Sequence, residues 1–353
     1  MTRPVTLAVI VIARNEERTI QASLKACLES VRLAQEHHLL NESRVVLVDS
    51  ASTDRTREIA ASLPVEVVVI PAHWPLSAAA GRFVGVRHTH SDVLLFVDGD
   101  YVLDPAWLTE GLALLHRSGI AGVCGADVED LEGHNAITRY VLERTQQSVP
   151  TSVVSEAEAI AVGLYWRKWV EEAGGVQPFL RGAEDRDLAI RIKALGGHIV
   201  RTRTVMGTHH WAPGEVLTLM AYLQSVAKWS FGEGQAARFA SDSPRVRAVY
   251  FSRYFHARHL LQLEEGLIFF SWLLGILASV LTGQAAALAI LVGTGGASVA
   301  LSARVHRENI MDALFRLHVV PYSVIRLGTF VLGYLNRPAP SAEYPAEVPP
   351  QMA

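Results

Sequence analysis

Asp92-Val93-Leu94-Leu95-Phe96-Val97-Asp98-Gly99-Asp100 decides how the rest of the chain is read. An apolar, partly β-branched run ends abruptly in two carboxylates one residue apart, which suits a buried strand of a parallel sheet better than a helix. In open α/β sheets ligands bind outside the carboxyl ends of the strands, and Asp98 and Asp100 emerge there. Gly99 lets the backbone turn between them and approach a ligand closely. Two hard oxygen donors at such a place suit a divalent cation carrying phosphates. Asp-Gly turns are common in loops, so the weight of this reading rests on the surrounding chain.

Working outward, Thr6 to Ile12 reads as a first strand, followed by Ala13-Arg14-Asn15-Glu16 and an amphipathic helix through about Arg32. In that helix Leu24, Cys27, Leu28 and Val31 share one face. Val45 to Val48 is a second strand. It ends in Asp49-Ser50-Ala51-Ser52-Thr53-Asp54, small polar residues suited to the free amides of a helix that starts near Arg55. Val65 to Ile70 is a third strand, and Ala78 to Thr89 a helix that carries Arg82. Strands alternating with helices imply βαβ units and a mostly parallel sheet, an α/β fold. No Gly-x-Gly-x-x-Gly follows the first strand and no Walker loop is present, which disfavours the usual dinucleotide fold.

With 353 residues the chain is long enough to bury a large core, and its formal charge of -3 gives no reason to expect a nucleic-acid partner. Cys27 and Cys124 read as small core residues of a reducing compartment. The N-terminus shows no long apolar stretch behind a basic start, so no cleaved signal peptide is expected.

Five motifs in order, Ile12 to Glu16, Val48 to Thr56, Gly81 to Gly85, Phe96 to Asp100 and Gly182 to Leu188, resemble those of family 2 glycosyltransferases. The resemblance covers roughly residues 5 to 240 and implies the GT-A fold, Rossmann-like with a mostly parallel sheet, and inversion at the anomeric carbon. It implies that Asn15, Glu16 and Asp49 hold the nucleotide, that Arg82 approaches the diphosphate, that Asp100 binds the metal and that Asp98 lies near the ribose or a metal-bound water. Ile12, Ser50 and Phe83 depart from the family pattern around the base pocket, so base and sugar stay unassigned between UDP- and GDP-sugars.

Glu184-Asp185-Arg186-Asp187 carries its own argument. Glycosyl transfer breaks the bond from an anomeric carbon to a diphosphate while an acceptor hydroxyl attacks, through an oxocarbenium-like transition state. The acceptor must lose a proton to a positioned base, and the departing diphosphate needs its charge offset. Acidic groups at two places in the chain meet those needs. Asp185 is the first choice for the base, with Glu184 as orienting partner or acceptor contact. Acidic residues at a helix start also favour the helix dipole with no catalysis involved; the upstream Asp98-Gly99-Asp100 tips the balance.

Tyr165 and Trp166 precede this motif at a place where aromatic rings can stack on a sugar, although such rings more often sit in the core. Ile199 to Val205 reads as a strand, followed by Met206-Gly207-Thr208-His209-His210. The resemblance implies a third metal ligand from this region, and His209 and His210 are equal candidates for Mn2+ or Mg2+, with imidazole better suited to Mn2+.

Residues 1 to 240 thus read as the catalytic domain. Gln224, Lys228 and Trp229 are similar to a motif of processive synthases, but one residue off and with Lys for Arg, which favours transfer of a single sugar. Residues 241 to 265, with Arg245, Tyr250, Phe251, Tyr254 and Phe255, read as an interfacial helix against anionic lipid. Gly266 to Ala303 contains no charged residue and is long enough for two transmembrane helices. Basic residues flank both outer ends, which places them and the catalytic domain on the cytosolic side. Residues 304 to 336 read as an amphipathic membrane-associated segment and 337 to 353 as a disordered tail. A multi-pass anchor in the cytoplasmic membrane points to a lipid-linked saccharide acceptor. The alternatives are transfer to polyprenyl phosphate and a non-catalytic subunit that binds sugar nucleotide.

Overall fold

A computed structural model describes residues 3–130, 154–210, 218–255, 280–281, 283 and 322–345. One sheet organises them, with strand order β3-β2-β1-β4-β8-β6-β9-β5 and β7 on the outer side of β9. Its strands are β1 (Val5–Ala13), β2 (Leu40–Asp49), β3 (Glu66–Val69), β4 (Val93–Asp98), β5 (Tyr101–Leu103), β6 (Ile120–Asp130), β7 (Val154–Glu156), β8 (Gly163–Trp166) and β9 (His198–His210). From β3 to β4 every pairing is parallel. β8 then runs antiparallel to both β4 and β6, and β6 is parallel to β9. The sheet is therefore mixed, not mostly parallel as the alternation of elements predicts. The reversal comes from the short β8, which enters at Gly163 with φ near +148, where a Cβ would meet the Val123 carbonyl at 2.6 Å.

β4 is the predicted central strand, and Val93 to Val97 are all buried. Its neighbours β1 and β2 are nearly continuous apolar runs because helices cover both faces. α1 (Ile20–Glu36) buries Ile20, Leu24, Cys27 and Val31 at helical spacing, as the sequence predicts. α2 (Thr56–Ala61) and α3 (Ala78–His88) complete the βαβ units. α3 starts at Ser77, whose Oγ accepts from the Ala80 amide at 3.0 Å. It lies close on β1, since a Cβ at Gly85 would meet Ile10 Cγ2 at 2.3 Å. α4 (Trp107–Leu115), α5 (Arg167–Glu172) and α6 (Glu184–Ala194) follow. Tyr165 and Trp166, expected to reach a sugar, belong to the interior. Tyr165 is fully buried with its hydroxyl donating to the Ile160 carbonyl, and the Trp166 indole N–H donates to the Leu115 carbonyl.

The C-terminal part docks back onto this core. α7 (Leu219–Ala240) packs along α9 (Tyr322–Leu335) through two glycines: a Cβ at Gly234 would meet the Phe330 carbonyl at 2.1 Å, and one at Gly333 the Phe231 carbonyl at 2.0 Å. α8 (Pro244–Val249) continues as a wider turn over Tyr250–Phe255. Tyr250 there is buried with Ile190, Ala237 and Ala240, so this stretch is partly a docking element of the catalytic domain and not solely an interfacial helix. The expected transmembrane pair over 266–303 lies outside the described residues apart from 280–281 and 283, as does the segment 304–321. Among the described residues no helix is long and apolar enough to cross a membrane.

Residues 337–345 differ from the disordered tail expected there. Tyr344 is 1% exposed, its ring edge-on to Trp74, Phe83 and Phe179 with centroids 5.7, 5.4 and 5.6 Å away. Its hydroxyl donates to the Pro75 carbonyl at 2.9 Å. A single buried aromatic offsets the ordering of a Pro-rich strand that composition alone marks as unstructured. Tyr344→Ala is expected to cost about 3–5 kcal/mol, as for other large-to-small core changes, whereas Tyr344→Phe loses one hydrogen bond and about 1 kcal/mol. Urea unfolding of the two variants beside wild type measures both.

Candidate active site

The residues singled out in the sequence converge at the carboxyl ends of β1, β2 and β4, with α6 facing them. Three of the four described non-glycine residues with positive φ, Asn15 (61), Ala51 (55) and Ala183 (57), lie in these loops. Left-handed backbone at such residues costs free energy and persists where surrounding contacts over-determine it. Those contacts are present. Asn15 donates its amide to Ser52 Oγ (2.9 Å) and accepts from the Thr53 amide at Oδ1 (2.8 Å), while the Glu16 amide donates to Thr56 Oγ1 (2.8 Å). Asn15 thus ties the loop after β1 to the loop after β2. Gly99 donates its amide to the Ile12 carbonyl at 2.8 Å, and a Cβ there would meet Ala13 Cβ at 2.8 Å. The turn between Asp98 and Asp100 is therefore pressed against the end of β1, which requires glycine.

Asp49 lies fully buried at the end of β2. Its Oδ2 accepts from the Ser52 amide (2.9 Å), while Oδ1 has no hydrogen-bond partner among the described atoms. A buried carboxylate oxygen left unbonded is costly, and it is suited to receive an N–H from a bound ligand.

Arg82 joins the two acidic motifs. Its guanidinium is 4% exposed and donates to Asp98 Oδ1 (2.7 Å), Glu184 Oε1 (2.6 Å) and the Ala161 carbonyl (3.2 Å). Burial pushes the Asp98 and Glu184 carboxyls up, and Arg82 offsets only part of the rise. With its charge divided between two carboxylates, Arg82 holds them in place. Glu184 in turn is fixed by Arg82, with Asp185 next to it in the chain. Both stand in the first turn of α6, at the positive end of the helix dipole.

Arg82→Met removes the shared cation and leaves two carboxylates facing each other in a low-dielectric site. Breaking a buried pair in this way costs about 3–5 kcal/mol. The value should lie toward the lower end, because the Asp98 side chain is 32% exposed. Denaturant midpoints of wild type and variant check the figure.

Strand register gives the two histidines different partners. β9 runs on to His210, and successive side chains of a strand point to opposite faces. His209 Nε2 lies 3.2 Å from Asp100 Oδ2, and His209 Nδ1 lies 3.0 Å from Glu129 Oε2. His210 pairs instead with Asp130 at 2.9 Å and meets Asp100 only through its amide, which donates to the Asp100 carbonyl. Burial lowers the His209 pKa and the two carboxylates more than reverse this, lifting it to about 10. Glu129 carried no motif and was not singled out in the sequence; its one signal is that it stands opposite His209 in the β6–β9 register.

Among the described residues no group of three His, Cys, Asp or Glu side chains makes a ready cation cage. Asp100 and His209 nevertheless fit a divalent cation. Two ligands at about 2.1–2.2 Å, side by side on an octahedron, stand about 3 Å apart, close to the 3.2 Å between Oδ2 and Nε2. One carboxylate and one imidazole leave the remaining positions for water and phosphate oxygens.

Residues 8–150 match the profile of "Glycosyl transferase family 2". Among curated proteins, the glycosyltransferase AglE of Haloferax volcanii is 25% identical over 251 residues, 69% of this chain and 77% of AglE. Among solved structures, the mannosyltransferase PcManGT of Pyrobaculum calidifontis, in complex with GDP-Man and Mn2+, superposes with a TM-score of 0.59 at 18% identity, covering 94% of this chain and 88% of that one. TarS of S. aureus superposes with a TM-score of 0.50 at 16% identity, and the aligned part spans 44% of TarS and 71% of this chain. The match over residues 8–150 and the likeness to AglE support a nucleotide-sugar glycosyltransferase, and the likeness to PcManGT supports a GT-A-like α/β fold with a mixed sheet.

Proposed function

We propose that the protein moves one sugar, with inversion, from a nucleoside-diphosphate donor to a hydroxyl of a lipid-linked saccharide at the cytosolic face of a membrane. The observation that carries this reading is the Asp98–Arg82–Glu184 bridge, which brings two acidic motifs far apart in sequence into one cluster. The unpartnered Asp49 Oδ1 suits a nucleobase N–H. A divalent cation held by Asp100 and His209 would offset charge on the leaving diphosphate.

The chain's own groups supply the rest. Glu184, held by Arg82, orients the acceptor, and Asp185 takes the proton from the attacking hydroxyl as the new bond forms on the face opposite the diphosphate. Asp98, at the end of β4, keeps Arg82 in register with that cluster. The membrane placement rests on the uncharged run from Gly266 to Ala303 and its basic flanks. The exposed Trp229, Leu332 and Leu335 on the α7–α9 pair add an apolar surface.

GDP-mannose heads the donor panel because PcManGT was solved with GDP-Man and Mn2+, and UDP-sugars follow. Calorimetry with detergent-solubilised protein is expected to show one nucleotide class bound, with affinity falling about 10-fold or more in Asp49→Ala, as for a lost charge-assisted hydrogen bond. Equal binding of all nucleotides by both proteins would remove Asp49 from the base site. Transfer to polyprenyl phosphate is separated from transfer to a hydroxyl by the Asp185 variants taken up in the Discussion.

A further inference from the structure

We propose that Glu129 is a positioning residue for the metal ligand His209, accepting its Nδ1–H so that Nε2 is presented to the cation beside Asp100. The inference rests on the reading of Asp100 and His209 as a cation site, and extends it by one residue that no motif marks.

Three strands build the arrangement. β5 begins immediately after Asp100 and pairs antiparallel with β9, setting Tyr101 opposite His209. β6 pairs parallel with β9 on the other side, setting Glu129 opposite His209. His209 is therefore the middle strand's residue between one acidic group from each side, and its two ring nitrogens are both engaged, at 3.2 Å to Asp100 and 3.0 Å to Glu129. The side chains are part-buried, 25% exposed for His209, 20% for Asp100 and 13% for Glu129.

An imidazole coordinates through a nitrogen that carries no proton, so the other nitrogen must keep one. A carboxylate on the far nitrogen fixes that tautomer and the ring angle together, and raises the basicity of the coordinating nitrogen. Glu129 does this from a strand backbone, which is a rigid support. The adjacent pair shows the contrast. His210 and Asp130 are also opposite each other in the register, but Asp130 is 54% exposed and His210 meets Asp100 through its backbone amide and not through its ring. A cation beside Asp100 would be held by His209 through Nε2, with Glu129 accepting from Nδ1–H. The same side chains without metal form an ion-pair chain, so hydrogen-bond geometry and metal affinity are the quantities to measure.

Full-length protein in detergent is titrated with Mn2+ in the presence of saturating UDP or GDP, following free Mn2+ by EPR and the bound ion's 14N coupling by pulsed EPR. Wild type is expected to bind with one histidine 14N signal, and His209→Ala to lose that signal. Glu129→Ala should bind about 10–100-fold more weakly. Glu129→Gln, whose amide oxygen still accepts from Nδ1–H, should stay within about 10-fold of wild type. Thermal midpoints in chelator separate these effects from unfolding. Wild-type affinity and 14N coupling in Glu129→Ala would overturn the role of Glu129 while leaving the cation site intact. No Mn2+ binding by wild type with either nucleotide would overturn the site itself. Independently of any variant, 15N spectra of histidine-labelled protein with Mg2+ should show His209 with its proton on Nδ1; a proton on Nε2 would contradict the proposal.

Discussion

Replacing Asp100 by Ala is expected to lower turnover about 10³-fold, or about 4 kcal/mol of transition-state stabilisation, while leaving the fold nearly unchanged. The size follows from what the carboxylate does. In the proposed reaction negative charge grows on the diphosphate as the glycosyl bond breaks, and a cation held by Asp100 and His209 would offset it. Asp100 is the carboxylate of the Asp100–His209 pair. Its loss leaves one imidazole, too little to keep a divalent ion against bulk water. The fold should tolerate the change because the backbone contact of residue 100, its carbonyl accepting from the His210 amide at 2.8 Å, survives in Ala, and only the side-chain contact to His209 is lost. Steady-state turnover and thermal midpoints, measured on the same preparation, separate catalysis from stability. A fall below 10-fold would remove the cation from the mechanism.

Asp185→Asn should cost about 10²–10⁴-fold with a hydroxyl acceptor, the usual range for removal of a positioned general base. Asn keeps the size and the first-turn position but cannot take the proton. The loss should fall on kcat, with donor affinity within a few-fold of wild type, because Arg82 still holds Glu184 and Asp98. The acceptor's nature then becomes readable from one variant. A phosphate acceptor is already ionised at neutral pH and needs no base, so its transfer should fall less than 10-fold in Asp185→Asn. Glu184→Gln provides the comparison. It weakens a contact to Arg82 at 2.6 Å that also organises Asp98, so it should lower stability as well as turnover. Equal loss of activity in both variants with no loss of stability in either would mean that the two carboxylates have exchanged roles.

How much of this was readable in the chain depends on the distance over which each feature is set. β4 and the turn at Gly99 are local, a buried run ending at a turn, and they stand where the sequence puts them. The first half of the sheet follows from strand-helix alternation in the same way. What pairs across the sheet was not legible. Choosing His209 over His210 needs the register of β9 against β5 and β6, because alternation only says that one of two neighbours faces Asp100. Glu129 is invisible for the same reason, eighty residues from its partner. The antiparallel β8 hides in a four-residue strand. The contacts that Asn15 and Arg82 make with neighbouring loops and carboxylates depend on which polar groups reach each other after folding. Tyr344 is a single ring in a Pro-rich stretch, and no pattern of period 2 or 3.6 announces it.

Release of nucleoside diphosphate with sugar transfer, followed across a panel of GDP- and UDP-sugars with and without Mn2+ for wild type, Asp100→Ala and Asp185→Asn, tests the central claim most directly. Metal-dependent transfer from one donor class by wild type, lost about 10³-fold in Asp100→Ala and about 10²-fold or more in Asp185→Asn, is the result expected. Donor binding without transfer to any lipid-linked acceptor, or transfer indifferent to both substitutions, would contradict it.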